Sequence, residues 1–213
     1  MKRKIPCFCD NIFEVEIPDE INLDSDPKYL DEVFNGTFLN FTCPGCGKKH
    51  KPEFPLSILW PSKNLCFELL PELDRGEFYR RKAAPGKSDS SNVETIIGYP
   101  EIADRLAVIR DGFEPVPVEA IKYHLYIKAE EQFPENEIEI WYYSAKTEAP
   151  DGFLEFHIHG IRENEVAVTK IPLSLYQKTL DDYKKNPKSE IFSILRVNTY
   201  LSVKNTMRSE TFK

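Results

Sequence analysis

The chain has 213 residues, of which 41% are hydrophobic and 30% charged, a balance that allows a buried core and excludes a wholly disordered chain. Lys and Arg number 28 against 35 for Asp and Glu, so the formal net charge of −7 disfavours general affinity for nucleic acid. No apolar run approaches the roughly 20 residues needed to cross a bilayer, so we expect a soluble protein with no membrane partner.

The first part of the chain shows the patterns of short strands around one helix. Phe13, Val15 and Ile17 alternate with two glutamates, which is typical of a strand with one wet face. Pro27 is suited to the first position of a helix, and Asn35-Gly36 to its end. These patterns predict a small, mostly antiparallel sheet with an inserted helix, made from strands at 13–17, 21–23, 38–42, 54–60 and 65–70 and a helix at 27–34.

Residues 81–92 are rich in turn-forming and charged residues and offer almost nothing to bury. We therefore predict a flexible linker or loop there, between a first region at 1–80 and an α+β part at 93–213. In that second part, proline and apolar spacing predict a strand at 93–99, a pair of helices opening at Pro100 and Pro117, and a final helix from Pro172. A three-stranded meander is predicted between the helical pair and the final helix, with strands around 138–142, 154–158 and 166–171.

Four of the five cysteines form two close pairs, Cys7 with Cys9 and Cys43 with Cys46. Cys43-Pro-Gly-Cys46-Gly suits a tight turn that leaves both thiolates on one side of the backbone. Because a second pair lies upstream, beyond a strand and a helix, the pattern predicts a tetrahedral four-thiolate zinc site with one Zn²⁺ per chain. Such a site is coordinatively closed, so the zinc would be structural.

Alternatives to this ligand set remain open in the sequence. The first pair has one intervening residue and no Pro or Gly, so its turn must differ from that of the second pair, and Cys9 is the safer ligand of the two. Asp10 and His50 are alternative fourth ligands. A redox dithiol at Cys43 and Cys46 is disfavoured, because that chemistry needs a helix after the motif and Gly47 opposes one.

At these cysteines the chain resembles the CpXC domain family, bacterial proteins named for two Cys-Pro-x-Cys pairs. The resemblance extends to the order of features: a strand and helix after the first pair, the stop at Asn35-Gly36, an aromatic strand before Cys43, and a proline-bearing strand at 52–61. It implies a zinc-ribbon-like N-terminal part and no established activity.

Two further clusters support other functions. Glu155, His157 and His159 share one face of a predicted strand, so they could form a metal or enzyme site between the two halves, although alternation alone explains a polar face. The basic cluster at Lys48–Lys51, with Phe54 and Trp60 nearby, could contact nucleic acid. The remaining cysteine, Cys66, sits between apolar residues and is predicted to be a buried hydrophobe.

We predict an α+β, non-enzymatic structural-zinc protein that serves as a protein-interaction platform. Its predicted metal ligands are Cys7, Cys9, Cys43 and Cys46, and no catalytic or cofactor-binding residue is predicted beyond them. We expect an unidentified protein partner, with exposed aromatics at Trp141, Tyr142 or Tyr143 as contacts, and no nucleic-acid partner. An odd number of thiols in an unsecreted chain indicates the cytoplasm.

Overall fold

A computed structural model describes residues 1–82, 93–148 and 152–207, and it has the predicted α+β composition. The chain divides into two compact units, Met1–Ala103 and Asp104–Lys213. Most of the predicted linker, residues 83–92, lies outside the described ranges, and the division into 1–80 and 93–213 stays a prediction. Within those ranges every helix falls short of the length or apolar character needed to span a bilayer.

The first unit contains eight strands and two complete helices among its described residues, and the helix α3 begins in it. These elements are β1 Lys2–Pro6, β2 Ile12–Glu16, β3 Glu20–Asn22, α1 Lys28–Phe34, β4 Phe41–Thr42, β5 Lys49–His50, β6 Leu56–Trp60, β7 Leu65–Leu70, α2 Arg75–Lys82, β8 Val93–Ile97 and α3 Tyr99–Arg110. The sequence patterns did not predict β1, β5 or α2.

Two antiparallel hairpins and one mixed sheet make up the strands of this unit. β1 pairs with β2 and β4 with β5, both antiparallel. The larger sheet has the order β8–β7–β6–β3, in which only β6 and β7 are antiparallel. The two parallel pairs arise because long connections, through α1 before β6 and through α2 before β8, return the chain in the same direction.

The helix α1 agrees with its sequence signals, whereas the strand predicted after it is shorter than expected. α1 follows Pro27 and ends at Asn35, and Gly36 adopts a left-handed φ of 68°. The predicted strand at 38–42 is wrong over its first three residues, because Leu39 has a φ of 48° and only Phe41–Thr42 pair. Phe38 and Leu39 are nevertheless buried, so their apolar character reflects packing and not a strand.

The second unit begins within α3 and contains the predicted meander. Its remaining elements are α4 Pro115–Gln132, β9 Glu139–Lys146, β10 Phe153–His159, β11 Ala167–Pro172, α5 Leu173–Lys185, α6 Glu190–Ile194, β12 Arg196–Val197 and β13 Tyr200–Leu201. The antiparallel order β11–β10–β9 confirms the meander. A bulge at Tyr143 shifts the β9–β10 register, since Tyr142 faces Phe156 and Ser144 faces Glu155.

Four charged side chains are buried together in this unit, two from α3 and two from α4. Lys122 donates to Asp104 and, over 2.9 Å, to Glu119, and all three side chains are 3–5% exposed. The network also binds backbone: Asp104 accepts the Tyr142 N–H at 2.6 Å, Glu119 accepts the Val203 N–H at 2.8 Å, and Arg105 donates to the Leu201 carbonyl at 2.8 Å. Ion pairs and hydrogen bonds of this kind compensate the buried charges and provide partners for the backbone groups around them.

Candidate metal centre

The first cysteine pair occupies the turn of the β1–β2 hairpin. The Cys7 N–H donates to the Asn11 carbonyl at 2.9 Å, and the Asp10 N–H donates to the Cys7 carbonyl at 3.0 Å. Asp10 closes this turn in the left-handed region, with a φ of 62°. Aspartate tolerates that conformation better than most residues, so the turn forms without a glycine.

The second pair occupies the turn between β4 and β5 and closes in a related way. The Cys43 N–H donates to the Lys48 carbonyl at 2.8 Å, and the Gly47 N–H donates to the Cys43 carbonyl at 2.9 Å. Gly47 has a φ of 74°, so it holds the place that Asp10 holds in the first turn. The two turns differ, as predicted, because the second is one residue longer than the first. Both nevertheless close with a residue in the left-handed region.

The two turns bring all four predicted sulfur atoms to one point. The sulfurs lie within 4.8 Å of one another, with Cys7 and Cys46 3.5 Å apart and Cys9 and Cys43 3.8 Å apart. A zinc–sulfur length of about 2.3 Å separates the sulfurs of a regular tetrahedron by about 3.8 Å. All four are free thiols, and they lie close enough to hold a metal ion.

Hydrogen bonds polarise the sulfurs unequally. The Asn11 amide, 3.5 Å from the Cys43 sulfur, and the N–H groups of Cys46 and Gly45 outweigh burial and lower the pKa of Cys43 to about 6. For Cys7 the N–H of Cys9 lowers the pKa, but desolvation and the neighbouring thiols together outweigh it, and the pKa of Cys7 is raised to about 12. Donors aimed at sulfur favour the thiolate, which is the form that binds metal.

The two alternative ligands and one unpredicted residue support the sulfurs from outside the set. His50 Nε2 lies 3.1 Å from the Cys7 sulfur, and its ring stacks on Phe8 at 6.3 Å. Asp10 contributes its backbone conformation. Asn11 was not predicted, because an asparagine after a turn is ordinarily explained by the turn itself. Its amide also contacts the second turn, since a Cβ on Gly45 would lie 3.3 Å from Asn11 Nδ2.

The other metal candidate lies on the outer face of the meander. His157 Nε2 is 3.3 Å from Glu155 Oε1, its ring stacks on Tyr143 at 4.1 Å, and His159 is exposed. Over residues 1–82, 93–148 and 152–207, the four cysteines are the one group of three or more His, Cys, Asp or Glu side chains that could hold a metal. The enzyme hypothesis for Glu155, His157 and His159 stays a prediction.

The remaining candidate residues differ in exposure. Lys48, Lys49 and Lys51 are exposed, whereas Trp60 is buried, so this tryptophan is not available to a nucleic acid. Cys66 is half-buried in β7, and burial raises the pKa of its thiol. Among the predicted aromatic contacts, Tyr142 is buried and Tyr143 is 58% exposed.

Two hairpins whose turns each present two thiols to a common point define a protein with a four-cysteine cluster that could hold a metal ion. A family model described as CpXC protein matches residues 5–122, more than half of the chain, and includes all four cysteines. The chain belongs to the CpXC family, as the resemblance implied. The match extends past residue 80, through α3 and into the first half of α4.

One relative is similar over almost its whole length. It is an uncharacterized protein of Treponema pallidum (strain Nichols), 27% identical over 214 residues, which cover 95% of this chain and 97% of that protein. No solved structure matches the chain significantly.

Proposed function

We propose that Cys7, Cys9, Cys43 and Cys46 bind one structural Zn²⁺ and that the protein is a non-enzymatic interaction platform. The observation that supports this most directly is the four-sulfur set, whose two measured separations of 3.5 and 3.8 Å fit a tetrahedral ion. An all-thiolate tetrahedral site favours zinc over the hard cations, which prefer oxygen.

Four thiolates would saturate the ion, so its role would be to stabilise the fold. The β4–β5 hairpin pairs only two residues on each strand, and such a hairpin is at best marginally stable in water. A bound ion would join this hairpin to β1–β2 and fix both turns, in the way that structural zinc contributes to folding.

The first turn also presents an apolar surface beside the metal centre. Phe8, between the two cysteines, is 90% exposed, and Ile12 is 65% exposed. Lys48 Nζ lies 5.9 Å from the centroid of the Phe8 ring, and the centroids of the Phe8 and His50 rings lie 6.3 Å apart, so this apolar ring has two polar neighbours. An exposed aromatic side chain with polar groups around it is typical of a contact residue in a protein interface.

Metal analysis with cysteine variants tests the zinc proposal. Purified protein should contain one zinc per chain, and Cys43→Ser should lose it, while Cys66→Ser should retain it as the matched control. A chelator should lower the melting temperature of the wild type and of Cys66→Ser but not that of Cys43→Ser. A wild-type protein that purifies without zinc and melts at the same temperature with and without chelator would refute the proposal.

Site-specific crosslinking tests the platform. A photoreactive phenylalanine analogue at Phe8 should capture a defined protein in cells, and the same analogue at Leu73, which is 97% exposed in the first unit, should not. The crosslink should disappear in Cys43→Ser, because the turn that presents Phe8 loses its metal. Equal capture at both positions would count against a contact at Phe8.

The thiols also support a location. Four cysteines grouped as metal ligands and a fifth free thiol fit a reducing compartment, which favours the cytoplasm of a bacterial cell.

A further inference from the structure

A groove runs between α4 and α5 in the second unit. It has two lobes, with volumes of about 230 Å³ and about 300 Å³, and both are lined by His124, Thr179 and Asp182. Residues 121–128 of α4 share the first lobe with residues 175–182 of α5, and residues 120–124 share the second lobe with residues 179–185, so the two helices run antiparallel along the groove. At 1.5 Å per residue the groove is about 12–15 Å long, which matches two to three turns of helix.

Each wall of the first lobe is a helical stripe. On α4 the lining residues are spaced three, four and seven apart, from Ile121 through Leu125 to Lys128, and on α5 the same spacing runs from Leu175 to Asp182. Leu175 is 44% exposed although it faces the lobe. Stripes with this spacing normally pack against another helix.

The rim of the groove is basic on a chain whose net charge is −7. Lys128 and Lys178 line the first lobe and Lys185 the second, against one carboxylate, that of Asp182. Within the part of the chain that the structure describes, no ion pair involves any of the three lysines. Lys178 and Lys185 are seven residues apart on one helix, so their positive charges are spread over about 10 Å.

A buried hydroxyl adds an unused hydrogen-bonding group at the far end. Ser189 lines the second lobe, and its Oγ is buried with no hydrogen-bond partner among the described residues. Polar atoms buried without a partner are uncommon, and a ligand group is one way in which they become paired.

We propose that this groove binds an amphipathic, acidic α-helix of a partner protein. Apolar side chains one or two turns apart would enter the two lobes, and flanking carboxylates would pair with Lys128, Lys178 and Lys185, as in helix-in-groove recognition. A small anionic amphiphile fits less well, because its single head group would leave lysines at the other end of the groove unmatched. The proposal rests on the proposed function only for the premise that the protein acts through protein partners.

A designed peptide is the probe. It has about 15 residues, with leucines at positions i, i+4, i+7 and i+11 and glutamates on both sides of them, and binding to the full-length, metal-loaded chain is followed by fluorescence anisotropy. A second peptide with the leucines changed to serine and a third with the glutamates changed to lysine serve as controls, and both should bind at least about tenfold more weakly.

Protein variants locate the binding. Leu175→Glu, a change at an exposed position, and the double charge reversal Lys128→Glu with Lys178→Glu should each weaken binding of the acidic peptide at least about tenfold. Lys184→Glu lies on the same helix outside the groove and should change it less than about twofold. Circular dichroism melting confirms that each variant folds.

The outcomes separate this proposal from its rivals and from the zinc proposal. Equal binding of the acidic and basic peptides, or unchanged binding by the double charge reversal, would overturn it. So would binding of decanoate with no peptide binding, or a dimer that Leu175→Glu dissociates while no peptide binds. A wild-type protein that purifies without zinc but binds the acidic peptide would contradict the zinc proposal and still support the groove, because every groove residue lies within 104–213.

Discussion

Replacing Lys122 with methionine would test whether the buried charges of α3 and α4 stabilise the second unit. Lys122 is 3% exposed and is the common partner of Asp104 and Glu119, both 5% exposed. Methionine has a similar length, so the change removes the charge without opening a large cavity. Two buried carboxylates would then face one remaining cation, Arg105.

The expected cost is large, because breaking a buried pair leaves an uncompensated charge. Removing one partner of such a pair typically lowers the free energy of unfolding by about 3–5 kcal/mol, and we expect Lys122→Met to fall in that range. Adding Asp104→Asn should restore about 2 kcal/mol, since it removes the extra negative charge and keeps Oδ1 as the acceptor for the Tyr142 N–H.

Urea unfolding would measure these changes. The chain has two tryptophans, and a Trp60→Phe background leaves Trp141 of the second unit as the reporter. Burial raises the pKa of Asp104, and loss of the Lys122 charge would raise it further. A group whose pKa is raised in the folded state stabilises the native state at low pH, and this stabilisation is lost as pH rises. The loss of stability caused by Lys122→Met should therefore be smaller at about pH 5 than at about pH 8.

Two results would refute this reasoning. A Lys122→Met protein within about 1 kcal/mol of the wild type would mean that the ammonium group is not needed to compensate the carboxylates. A double variant that is no more stable than Lys122→Met would mean that the buried charge of Asp104 is not the source of the cost.

Three further predictions concern backbone conformation and the metal centre. Gly160→Ala should cost more than Gly112→Ala in urea unfolding: both residues have positive φ, but a Cβ on Gly160 would lie 1.9 Å from the Glu137 carbonyl oxygen and one on Gly112 meets nothing within 4 Å. Asp10→Gly should retain metal whereas Asp10→Val should bind it more weakly in a chelator competition, because a β-branched residue resists the φ of 62°. Asn11→Ala should weaken metal binding about 10- to 100-fold in the same competition, and an unchanged affinity would show that its amide does not orient Cys43.

Much of the fold could be predicted from the sequence where local signals agree with packing. Helix α1 has Pro27 before it and Gly36 after it, and β10, the central meander strand, alternates in burial because one of its faces is buried. The segment at 38–42 differs from its predicted strand. Its apolar residues are buried, but a left-handed Leu39 interrupts the pairing, and burial alone does not distinguish a strand from a packed turn.

β1 could not be recognised from the sequence because it lacks the alternating hydrophobic residues by which strands are predicted. Of its five residues only Ile5 is buried, and the strand is matched to β2 by charge, with Lys2 3.0 Å from Glu14. Opposite charges across a strand pair are visible only when the register is known. For the same reason, the sequence did not predict that the first cysteine pair lies at a hairpin turn.

The candidate site divides in the same way. The four cysteines stand out because metal-binding thiols occur in close pairs, and the structure brings them together. Asn11 and the left-handed Asp10 carry no comparable signal, since both residues are common in turns that bind nothing. The buried charges were missed because the helix pattern places charged residues in water, whereas Asp104 and Lys122 compensate each other inside.

The hydrogen bond from the Tyr142 N–H to Asp104 has a consequence for how the protein behaves at high concentration. Within the described residues β9 forms one border of the three-stranded meander, and an open border of this kind can recruit a strand from a neighbouring molecule. Here a carboxylate already occupies the amide and the extra residue at Tyr143 distorts the ribbon beside it, so an incoming chain finds no regular ladder to extend. The buried aspartate that pairs with Lys122 thus also occupies one of the amides through which another strand would pair with this border.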